Sequence, residues 1–163
     1  MGSELEASVD RVQQVGSAEI TALFREAELS PRKRAHLLLH RDHTDQVQRL
    51  VIACCLGTYF RPHYHPEQWE LMSLLEGNAD LITFDADGCV LGRRPMRVAP
   101  VVQIAQKVLH TIIITASRTL LFEVKPGPFR LTEFPQWAPE ENSQGAVDLL
   151  EQLKRPHTGL SDN

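Results

Sequence analysis

The sequence predicts a mainly-β domain, a sandwich or barrel of short strands with one helix at each end. Between residues 34 and 125, short apolar stretches recur and are separated by turn signals. No helix-length pattern interrupts them, which argues against a parallel βαβ architecture. Outside that zone, two segments carry apolar residues at helical spacing.

The first helix is expected over 18–29, with Ser17 as its N-cap and Ile20, Leu23, Phe24 and Ala27 on one face. Ser30 and Pro31 stop it. Strands are expected over 34–40, 49–56, 69–75 and 80–84. The run Asp85, Ala86, Asp87, Gly88 then marks a hairpin turn. Further strands fall over 89–98, 100–105, 108–115 and 119–125. A Pro-rich, irregular stretch follows from 126 to 139 and carries Trp137, for which packing is the expected role. Ala146, Leu149, Leu150 and Leu153 mark the second helix, roughly 143–155. The organisation read from this is a loose N-terminus over 1–16, one domain with its leading helix over 17–140, and a C-terminal helix with a fraying tail over 141–163.

Composition narrows the function classes. A chain of 163 residues suits one well-buried domain, and 42% hydrophobic with 23% charged residues is ordinary for a globular protein. A net charge of −4 argues against nucleic acid as the main partner. No apolar run approaches the ~20 residues of a membrane span. The polar, acidic N-terminus is unlike a secretory signal, so a cytoplasmic protein is expected. Cys54, Cys55 and Cys89 are odd in number and lack a CxxC, so neither a disulfide framework nor a zinc ribbon is indicated. The pair Cys54 and Cys55 reads as two small residues of an apolar strand.

Chemistry concentrates around residue 63. His63 and His65 are two apart, so on an extended segment both imidazoles project from one face. Glu70 follows a Pro-containing turn and opens the next strand, which lets its carboxylate aim at the same place. Two imidazoles and a carboxylate suit a borderline divalent ion such as iron, manganese, nickel or zinc. His110 lies among aliphatics in a later strand, where a histidine is costly without a partner. A metal would be that partner; a backbone carbonyl is the alternative.

The stretch from Gly57 through His63, His65 and Glu70 to Gly77 resembles the first cupin motif, Gly-x5-His-x-His-x4-Glu-x6-Gly. The second cupin motif, usually Pro-x-Gly-x-x-His, corresponds to residues 105–110. It keeps His110 but has Ala105 and Lys107 in place of proline and glycine. The resemblance implies a cupin-type double-sheet jelly-roll β-barrel in which His63, His65, Glu70 and His110 bind one divalent metal. Further segments, including 30–36, 47–50, 68–70 and 122–129, are similar to the WbuC family of cupin-fold metalloproteins. That family occurs in bacterial O-antigen and other surface-polysaccharide gene clusters.

Alternation extends the candidate site. Counting back from His63 by twos gives Arg61 and Tyr59 as pocket residues. Arg34, His36, Leu38 and His40 share one face of their strand. If that face looks inward, Arg34 and Arg49 could bind a substrate carboxylate or phosphate, with a salt bridge or solvated face as the alternative. Glu123 is a candidate general base if it faces the interior. Trp69, Phe84 and Phe122 are expected in the core. The leading expectation is a metal-dependent enzyme acting on a small polar substrate, and family context implies a carbohydrate or sugar nucleotide with isomerisation or epimerisation. The alternatives are an Fe(II) dioxygenase-type cupin, a sugar-binding or sensing module, and a purely structural metal. A homodimer is also expected.

Overall fold

The computed structural model describes residues 12–155, so the expectations for residues 1–11 and for the tail after Pro156 lie outside the described residues. The chain runs through α1 (Ser17–Leu29), β1 (Arg34–Leu38), β2 (Val47–Cys55), β3 (Glu70–Glu76) and β4 (Ala79–Phe84). It continues through β5 (Val90–Pro95), β6 (Val101–Ile104), β7 (His110–Ile114), β8 (Arg118–Pro126) and α2 (Gln144–Lys154). All ladders are antiparallel. They form a five-stranded sheet in the order β1-β2-β8-β3-β6 and a three-stranded sheet in the order β5-β4-β7. The expected barrel is thus realised as two sheets face to face.

Alternation sorts the side chains. Leu50, Ile52 and Cys54 of β2, Met72 of β3 and Leu121 of β8 point inward, where they meet Leu81, Ile112 and Ile114 of the smaller sheet. The opposite face of β1 and β2 presents Ala35, Val51 and Ala53 to Leu23, Phe24 and Ala27 of α1. On the far side, Leu150 and Leu153 of α2 cover Ile82, Phe84 and Ile113. The result is four layers, helix–sheet–sheet–helix, built from one period-2 pattern and two amphipathic helices. Among the described residues, no helix is long and apolar enough to cross a membrane.

Three expectations are corrected locally. The N-cap of α1 is Gly16, not Ser17, and the Glu19 carboxylate accepts the Gly16 N–H at 2.9 Å. The segment from Tyr59 to Tyr64 is not a continuous strand and makes only isolated bridges, Tyr59 to Ile113, His63 to His110 and Tyr64 to Glu133. Pro62 offers no N–H and interrupts any ladder there. Trp69 is partly exposed rather than core, whereas Phe84 is buried beside Trp137 and Phe122 packs under α1. The Asp85–Gly88 turn forms as expected, with Asp85 Oδ1 accepting the N–H groups of Asp87 and Cys89.

Candidate metal centre

His63, His65, Glu70 and His110 converge in the interior, each offering one donor atom, and these atoms all lie within 4.8 Å of one another. Two ligands opposed across an ion with ~2.1 Å bonds are separated by about 4.2 Å, so the cluster is only slightly open. Different local devices bring each residue there. Pro66 and a short turn reverse the chain after His65, and Glu70 starts β3. Gln68 anchors that turn, since its side-chain amide donates to the carbonyls of Pro126 and Pro128. His63 and His110 are paired through the backbone, with N–H to O distances of 3.0 and 2.9 Å.

The hydrogen bonds define which nitrogen of each ring is free. His63 Nδ1 lies 2.8 Å from the Arg61 carbonyl oxygen, and His110 Nδ1 lies 2.9 Å from that of Val108. A carbonyl can only accept, so both Nδ1 atoms carry the proton. In its neutral form His110 would therefore present an Nε2 lone pair to Glu70 Oε2, 3.3 Å away. Two acceptors facing each other in a site where Glu70 is 3% and His110 1% exposed require a positive charge between them, a proton or a metal ion. His65 Nε2 lies 3.0 Å from the same carboxylate oxygen, while its buried Nδ1 has no partner. This donor set fits a divalent metal: three imidazole nitrogens and a carboxylate, with two rings oriented from behind by carbonyl acceptors.

Burial and the neighbouring His110 push His63 down to about 3, which keeps it neutral and ready to donate its lone pair. Burial acts to raise Glu70, but hydrogen bonds from His110 and His65 hold it well below its ordinary value. Burial acts to lower His110, and Glu70 outweighs it and raises the group.

Glu123 faces the interior, opposite Leu50 on one side and Met72 on the other. Burial, then the charge of Glu70, push it up to about 7. Lys125, two residues on, places Nζ 2.8 Å from Glu123 Oε1. Lys125 shares the strand parity of Glu123 and carries no other sequence signal.

The remaining candidates stand apart from the cluster. Arg34 is buried, stacks 4.7 Å from the Phe60 ring centroid and donates to the Tyr59 carbonyl and to Glu141 Oε1, at 2.8 and 2.6 Å. Its guanidinium is therefore committed to the protein itself. Arg49 lies opposite Val124, on the outer face, and pairs with Asp45 at 3.2 Å. Tyr59 packs in the cluster under α2 and donates its hydroxyl to the Pro139 carbonyl. Arg61 donates to the Ala138 carbonyl and stacks over Phe134. Phe134 in turn stands beside His63, with centroids 6.3 Å apart, so the Pro-rich segment covers the His63 side of the centre. Trp137 does not: it packs on Phe84 and Gly88, and its Nε1 donates to the Ala86 carbonyl. His36 is exposed, and His40 Nδ1 accepts the Arg49 N–H. Cys54 is buried, and burial pushes its thiol up to about 12, consistent with a core residue.

Comparison with solved structures places the fold among the cupins. An oxalate oxidase in complex with glycolate superposes with a TM-score of 0.52 at 13% identity, over 65% of this chain and 57% of that one. The oxalate decarboxylase of Lactobacillus farciminis, in a formate complex, gives 0.51 at 15% identity, over 62% and 31%. Recombinant pro-11S globulin of pumpkin gives 0.54 at 17% identity, over 65% and 29%. At these identities the likeness is one of fold, and this chain spans 57% or less of each of these relatives. No curated protein matches the chain. The similarity to the WbuC family rests on the sequence segments alone. A family model described as a domain of unknown function, DUF6016, matches residues 15–96, just over half of the sequence, and the chain belongs to that family.

Proposed function

We propose that the protein is a metal-dependent cupin enzyme that holds one divalent transition metal through His63, His65, Glu70 and His110. The observation that carries this reading is the convergence of four buried or half-buried donor atoms within 4.8 Å of one another, with the Nδ1 atoms of His63 and His110 tied to carbonyls so that their Nε2 atoms are left for an ion. A bound ion would supply Lewis acidity toward a substrate oxygen or water. The chain's own residues would do the rest. Glu123 would hold and release a proton on the inner face, and Lys125 would orient its carboxyl through the 2.8 Å contact. Gln68 would keep the turn before Glu70 in place.

The substrate class in this reading is a small polar carbohydrate or sugar nucleotide, handled in the cytoplasm, with isomerisation or epimerisation as the reaction. Its support is the WbuC-like sequence segments. The test is to purify the protein with its native metal and offer activated sugars, with His63→Ala as control. Turnover by wild type alone supports the reading. Absence of turnover and of metal-linked binding with every sugar class overturns it.

A second reading, a structural metal, is favoured by Phe134 standing beside His63. Phe134→Ala discriminates between the two. Faster metal exchange with unchanged turnover favours a structural ion, and altered KM or kcat favours a catalytic one.

A further inference from the structure

An open cleft lies beside the metal centre, reached through Tyr64 and Val108. It has a volume of about 660 Å³, within the range of small-molecule sites. Tyr64, between His63 and His65, forms part of it, as does Val108, whose carbonyl accepts the His110 Nδ1–H. Leu91, Val108 and Leu109 make it apolar, and Arg94 and Lys107 bring two positive charges to it.

Lys107 sits in a left-handed conformation, with φ of 63°. That conformation costs a non-glycine residue of order 1–2 kcal/mol. It is locked by the Lys107 N–H, which donates to the His65 carbonyl at 2.9 Å. This is the position where the cupin motif has glycine, which would adopt the turn without strain. A strained lysine in place of glycine, at a residue that lines this cleft, points to use of the side chain. Neither Lys107 nor Arg94 makes an ion pair among the described residues, and the hydrogen bond of the Arg94 guanidinium is a long one, 3.5 Å to Thr83 Oγ1. The acid in the cavity, Asp85, is turned to its own hairpin, where Oδ1 accepts two backbone N–H groups. Lys33 is also left-handed and lines another groove, but the guanidinium groups there, Arg32 and Arg34, are already taken by Glu141.

We propose that this cavity binds a small organic anion, with a carboxylate or phosphate head held between Lys107 and Arg94 and an apolar body against Leu91, Val108 and Leu109. The site stands whether or not the metal centre is catalytic.

Calorimetric titration of the full-length protein with phenyl phosphate, phenylacetate and the neutral phenylacetamide tests it, with and without EDTA. At least one anion is expected to bind saturably and one to one in both conditions, and which one does so identifies the head group. The amide is expected not to bind. Lys107→Gly relieves backbone strain, so it is expected to keep or raise Tm while weakening the anion at least tenfold. Lys107→Asn, which also tolerates the left-handed region, and Arg94→Gln are expected to weaken it similarly. Lys33→Gly is expected to leave binding unchanged. Equal binding of the amide, no saturable binding of either anion, or full affinity in Lys107→Gly overturns the proposal.

Discussion

His63 and His110 exchange both of their backbone hydrogen bonds, and this pairing brings the two residues side by side with their rings 4.4 Å apart. The bridge should therefore survive loss of either imidazole. His63→Ala and His110→Ala are expected to fold and to lose metal affinity by at least ~100-fold, measured by competition with a chromophoric chelator. In metal-free protein, His110→Ala also deprives the buried Glu70 of a hydrogen bond. Urea denaturation should show a loss of about 1–3 kcal/mol.

The Glu123–Lys125 pair lies almost wholly inside the protein. Removing one partner strands the other charge, at a typical cost of about 3–5 kcal/mol. Glu123→Gln is expected near the lower end because Glu70 also attracts Lys125. Glu123 is outside the four-residue cluster, so Glu123→Gln is expected to keep its metal and lose turnover. The double variant Glu123→Leu/Lys125→Met should recover most of the stability, and a double-mutant cycle measures the coupling.

Glu141 joins the loop before α2 to β1 by accepting from Arg32 and Arg34, at 2.7 and 2.6 Å. Burial acts to raise its carboxyl, but hydrogen bonds from the two arginines outweigh this and lower it. Its folded value lies below the unfolded one, so its stabilisation is complete at neutral pH and is lost as pH falls through the folded value. Glu141→Gln is expected to cost about 1–3 kcal/mol at pH 7, leaving Arg34 buried with a weaker partner. The gap to wild type should shrink in acid, as measured by urea denaturation across that range.

The two glycines that bound the first motif serve different ends. Gly57 has φ of 93° and open space where a Cβ would be, so Gly57→Ala should cost only the backbone strain, roughly 1–2 kcal/mol. Gly77 has φ of 84°, and a Cβ there would lie 2.2 Å from the Arg118 carbonyl oxygen. Gly77→Ala adds this clash to the strain and is expected to cost about 3 kcal/mol or more. Thermal melts of the two variants check the order.

Much of this molecule can be read along the chain because alternation and spacing are local. The strands, both helices and the convergence of His63, His65 and Glu70 follow from periods of two and 3.6 and from one turn. Parity fails where the backbone is irregular: counting back from His63 through Pro62 places Tyr59 inward, yet it packs under α2. It fails for Arg49 because β2 turns the neighbouring Gln48 inward and Arg49 outward. Gln68, Phe134 and the Arg34–Glu141 contact depend on the Pro-rich segment and the loop before α2, which carry no periodicity and meet the sheets over long sequence separations.

Metal binding by His63, His65, Glu70 and His110 underlies the proposed function. Its most direct test is elemental analysis of protein purified without a metal-affinity step, alongside His110→Ala prepared identically. About one equivalent of a divalent transition metal is expected in wild type and far less in the variant. A wild-type protein that carries no metal and shows no rise in Tm with iron, manganese, nickel or zinc would contradict it.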